Sequence, residues 1–66
     1  MMCLSTVYAL ENDGGQTLLC EYVSAVRVCG KDLVFTDITG EETGFSGSIR
    51  GVDLVKNTIT VRKEDA

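Results

Sequence analysis

The chain has 66 residues, with six Lys plus Arg against ten Asp plus Glu for a net charge of −4, and it has no histidine and no proline. A single domain of this length buries only about 60% of the surface its unfolded form exposes, so its core is thin. Six dispersed cations give no basic face for phosphate, which argues against nucleic acid as the partner. No apolar run reaches the roughly 20 residues needed to cross a bilayer, and the first ten residues carry no cation, so neither a membrane span nor a signal peptide is expected and the cytoplasm is the expected compartment.

Taken in chain order, the apolar residues alternate in short β-branched runs rather than recurring at helical spacing. Cys3–Leu10 reads as a strand with Leu4, Thr6, Tyr8 and Leu10 on one face and Cys3, Ser5, Val7 and Ala9 on the other. Glu11–Gly15, ENDGG, is a turn, because Asn, Asp and Gly accept positive φ. Thr17–Val28 is too long for one flat strand, and a bend or bulge is expected at Ser24-Ala25, giving two shorter strands. Turns follow at Cys29–Asp32 and Thr39–Glu42, on either side of a strand from Leu33 to Ile38. Gly44, Gly47 and Gly51 suit a sharply curved strand, and Val55–Thr58 is a hairpin with Asn57 in the left-handed position before a closing strand, Thr58–Arg62. The expected fold is all-β, a small antiparallel barrel of five to six short strands forming one domain over residues 1–66. The expected core is Val7, Leu19, Val23, Val26, Val28, Phe35, Ile38, Ile49, Val52, Leu54, Ile59 and Val61.

No catalytic constellation is legible, and the chain is not expected to be an enzyme. Histidine, the commonest general base, is absent, and the carboxylates Asp37, Glu41 and Glu42 crowd a turn where solvation explains them. An RNA-binding barrel would stack bases on aromatics, of which the chain has Tyr8, Tyr22, Phe35 and Phe45, and the core must claim some of these. The cysteines, Cys3, Cys20 and Cys29, form no C-x-x-C pair, which argues against a disulfide framework and against a zinc site within one chain. Cys20 and Cys29 lie in or beside apolar strands, where a free cysteine serves as a small hydrophobe. Cys3 differs through its place near the chain start, because thiolate, amine and deprotonated amide together suit a square-planar ion such as Ni(II) or Cu(II). One chain supplies too few ligands. A two-fold axis would double them, since it brings each surface patch against its own copy. The competing reading of Cys3 is a packed residue at the barrel rim.

The stretches MCLSTVY at 2–8, DITGEE at 37–42 and GSIRGVDLVKNTITV at 47–61 together resemble the CooT family of small nickel-binding proteins, long catalogued as predicted RNA-binding proteins. The resemblance spans essentially the whole chain. It implies an SH3-like barrel, a homodimer with one Ni(II) held between protomers by Cys3, and a metallochaperone role supplying nickel to carbon monoxide dehydrogenase or its maturation proteins, at least for members encoded beside that enzyme. Only Cys3 maps to the family's metal ligand; Cys20 and Cys29 do not. The family pattern begins Met-Cys and this chain begins Met-Met-Cys, so a start at Met2 followed by methionine removal would give Cys3 the free amine. Retention of Met1 and Met2 would leave the intervening amides beside the thiolate. The alternative function is an RNA-binding or protein-interaction barrel without metal.

Overall fold

The computed structural model describes residues 4–63, which form five strands and no helix: β1 Ser5–Leu10, β2 Gln16–Cys29, β3 Asp32–Asp37, β4 Glu42–Asp53 and β5 Thr58–Lys63. They close into a barrel in the order β1-β2-β3-β4-β5. Each strand runs antiparallel to the next, and a meander with an odd number of strands brings its first and last members back in the same direction. The closing pair, β1 with β5, is therefore parallel, from Thr6 opposite Thr58 to Leu10 opposite Arg62. Among the described residues no helix is long and apolar enough to cross a membrane.

The expected bend in the long second strand is present, but the strand is continuous from Gln16 to Cys29. Its first half pairs with β1 and its second with β3. Between Val23 and Ala25 the strand advances two residues while β3 advances only one, from Asp37 to Thr36, so Ser24 is the extra residue of a bulge. The Ser24 hydroxyl donates to the Thr36 and Asp37 carbonyls at 3.2 and 3.4 Å. Two further irregularities on β2 face Ser5–Tyr8, and one on β4 lies between Ile49 and Gly51. The extra residues thus fall on the two longest strands, and each adds bend and twist where the sheet must curl to close. Gly47 marks the point at which β4 passes from β3 to β5, and a Cβ there would strike the Arg62 carbonyl and the Phe45 ring.

The turns form as their residues dictate. Asn57 has φ 54°, and Gly14, Gly30 and Gly40 also take positive φ. Aspartates fasten three of these turns by accepting backbone N–H groups: Asp13 from Gly15, Asp37 from Thr39 and Glu41, and Asp53 from Val55 and Lys56. Much of the acidic excess thus satisfies turn backbone.

The core consists of Val7, Ala9, Val23, Leu33, Phe35, Ile59 and Val61, with Leu19, Cys20, Val26 and Phe45 packed against it. Five expected core residues are exposed: Val28, Ile38, Ile49, Val52 and Leu54. Three of these occupy the correct face, since Val28 pairs with Leu33, Ile49 with Val61 and Val52 with Ile59, all core partners. Their strand segments run past the part of the barrel that the opposite strands cover. Ile38 and Leu54 fall beyond the ends of β3 and β4.

Candidate functional site

Cys3, the candidate metal ligand, lies outside the described residues, which begin at Leu4. The start of β1 is held from both sides. Ser5 pairs with Val23 of β2, and the Thr6 N–H donates to the Asn57 carbonyl of the β4–β5 turn at 2.9 Å. That turn is itself rigid, because the Asp53 carboxylate accepts from the Val55 and Lys56 N–H groups, each at 3.0 Å, and Asn57 takes up the left-handed conformation. Leu4 thus enters the fold at a fixed point at one end of the barrel, beside Val23 of β2 and the β4–β5 turn.

The other cysteines are free thiols at separate places. Cys20 pairs with Val7 and packs against the core, as the reading of a small hydrophobe expects. Cys29 is exposed at the β2–β3 turn. There the Cys29 side chain, by hydrogen bond and charge, and then the Glu42 carboxylate hold the Arg27 guanidinium above its ordinary pKa. Arg27 and Glu42 lie 3.7 Å apart at the surface, a pair of small energetic worth. Among the described residues no group of three or more Cys, Asp or Glu is placed to hold a metal ion.

The Asp37, Glu41 and Glu42 carboxylates do not converge as an acid–base pair. Asp37 accepts from the Thr39 hydroxyl at 2.6 Å and from the Thr39 and Glu41 N–H groups at 2.8 and 3.1 Å. The hydroxyl bond is the largest influence and outweighs the opposing desolvation, and with the weaker backbone bonds it holds the pKa below the ordinary carboxylate value. Glu42 faces Arg27 instead.

The aromatics divide in a way that bears on RNA. Phe35 is fully buried and Phe45 packs on the core, which leaves Tyr8 and Tyr22. Tyr8 lines an open groove of about 550 Å³ with Gln16, Asp53, Lys56, Thr58 and Thr60, where Gly51 leaves space across the sheet. Tyr22 stands apart at the bend of β2. The groove carries one cation, Lys56, and one carboxylate, Asp53, and Tyr22 does not line it.

A family model described as CO dehydrogenase accessory protein CooT matches residues 2–62. A crystal structure described as CooT from Carboxydothermus hydrogenoformans superposes with a TM-score of 0.86 at 22% sequence identity, covering 96% of this chain and 100% of that one. No curated protein matches the chain.

Proposed function

The chain belongs to the CooT family of CO dehydrogenase accessory proteins, and from that premise we propose that it carries Ni(II) as cargo in the cytoplasm, as a homodimer binding one ion between the Cys3 thiolates of its two protomers. Its client is carbon monoxide dehydrogenase or that enzyme's maturation machinery. The observation that carries this reading is the anchoring of the chain two and three residues after Cys3, by the Ser5–Val23 pairing and the Thr6–Asn57 hydrogen bond. A thiolate on a short tether from a rigid rim can meet its symmetry mate without unfolding the barrel. The donor inventory supports the same reading, since the chain has no histidine and its other thiols lie in the core and at the β2–β3 turn. Thiolate together with backbone or terminal nitrogen is a donor set suited to square-planar Ni(II).

The test is a Ni(II) titration followed by the ultraviolet thiolate-to-metal charge-transfer band, on wild type and on Cys3→Ser. The band is expected to saturate at one nickel per two chains in the wild type and to disappear in the variant. Equal binding by Cys3→Ser would remove the proposed ligand. A fall in stability with an unchanged titration would return Cys3 to a packing role.

A further inference from the structure

We propose that the concavity beside the β2–β3 turn docks a short extended segment of another protein, one in which apolar side chains alternate with carboxylates. The lining holds no cysteine, so the inference goes beyond the nickel reading and does not depend on it.

The concavity encloses about 310 Å³, with Val28, Leu33 and Ile49 as its apolar lining and Lys31 as its one charged residue. Leu33 belongs to the core, whereas Val28 and Ile49 are 64% and 40% exposed. Both exposed residues pair with core residues, Val28 with Leu33 and Ile49 with Val61, so an apolar group seated between them would continue the core outward and take their surface from water. The walls are fixed before anything binds. The Gly47 N–H donates to the Lys31 carbonyl at 3.3 Å, and the Ser46 hydroxyl donates to the Asp32 carboxylate at 2.9 Å, which ties the β2–β3 turn to β4. A preformed apolar hollow binds without the cost of ordering its own walls.

Charge complementarity names the occupant. The cations are dispersed along the sequence, but the fold gathers most of them here: Lys31 lines the concavity, Arg27 and Arg50 are chain neighbours of Val28 and Ile49, and Arg62 and Lys63 stand opposite Ser48 and Gly47 in the β4–β5 register. Glu42 is engaged with Arg27 at 3.7 Å and Asp32 with Ser46, and among the described residues neither Lys31 nor Arg50 has a carboxylate in ion-pair contact. In a chain of net charge −4, an apolar hollow with no carboxylate in its lining and cations around it is complementary to an acidic, apolar ligand. The backbone favours an extended one. Ala25–Cys29 pairs only with β3 and Ser48–Asp53 only with β5, so each strand bordering the concavity keeps one edge open to an added strand. The aliphatic lining offers no ring on which a nucleobase could stack, which favours a peptide over RNA.

Amide-resonance NMR titrations of the isotope-labelled protein, run with chelator so that nickel plays no part, test the inference with three end-blocked peptides: alternating Glu-Val-Glu-Val-Glu-Val, its counterpart with lysine in place of glutamate, and its counterpart with serine in place of valine. The Glu-Val peptide is expected to move the amides of Val28, Lys31 and Ile49 and to leave those of Tyr8 and Thr60, in the separate polar groove, in place. The lysine and serine peptides are expected to bind about tenfold more weakly or not at all, since each lacks one half of the complementarity. Lys31→Glu and Val28→Ser, both at exposed positions and both checked for a folded spectrum, are expected to weaken the Glu-Val peptide about fivefold or more. No movement at Val28, Lys31 and Ile49, equal binding of the lysine or the serine peptide, or undiminished binding by either variant would overturn the proposal. Tighter binding of oligouridine than of the Glu-Val peptide at these residues would assign the face to RNA and overturn it as well.

Discussion

At the residue scale, Gly47 is the position where the fold leaves no choice. It sits where β4 changes partners, and an added Cβ would meet the Arg62 carbonyl, a backbone atom that cannot swing aside as a side chain could. Gly47→Ala is expected to cost about 1–3 kcal/mol, the usual range for forced overpacking, read as a lower urea midpoint with an unchanged slope. Gly51 has open space around it and is the matching control: alanine there should leave the midpoint nearly unmoved. Both glycines signal curvature in the sequence, and only the structure separates the one that is sterically required from the one that is not. Asn57 was legible outright, because its left-handed φ follows from local side-chain chemistry. Cys3 was legible as a candidate ligand from its residue type and its position, and its geometry falls outside the described residues.

At the scale of elements, the turns were the most readable parts of the chain and the ends of the core the least. A turn is decided within four or five residues, so DITGEE and VKNT appear in the structure where their Asp, Gly and Asn require. The Asp37 turn also yields a pH dependence. Its carboxylate is held below its ordinary pKa, so its contribution is present above the unfolded value of about 3.9 and is lost as pH falls through the lower folded value. In urea unfolding, Asp37→Asn should be less stable than wild type at pH 7, and the difference should begin to narrow as the pH drops below about 4. A gap that shows no narrowing below about pH 4 would assign the effect to hydrogen-bond geometry rather than to charge. The core ends were unreadable for a physical reason: alternation tells which face Val28, Ile49 and Val52 occupy, and their pairing with Leu33, Val61 and Ile59 agrees. Coverage of that face depends on how far the opposite strands extend, which no local pattern encodes.

At the scale of the whole molecule, closure into a barrel was legible from the number and spacing of short strands, while the bulges that allow it were read only at Ser24-Ala25. Among the described residues the core comprises seven buried hydrophobic residues. So small a core leaves the isolated chain with little margin, and association would add stability by mass action. With the homodimer proposed above, the thermal midpoint is accordingly expected to rise with protein concentration, measurably over a hundredfold range. A wild-type midpoint that does not move with concentration would show that the chain unfolds as an independent unit.

The parallel pairing of β1 with β5 has a consequence for biosynthesis. The first strand to leave the ribosome can complete its sheet only with the last, across some fifty residues of intervening chain, and contacts of such separation form late and slowly. Thr6 has no partner until Asn57 has emerged. A nascent chain can curl its middle hairpins early, but the rim at the start of β1 comes into being only when translation is nearly over. Any premature stop before β5 therefore leaves that rim unformed, so an incomplete product would lack the anchored start of β1 that follows the cysteine of the proposed metal chemistry.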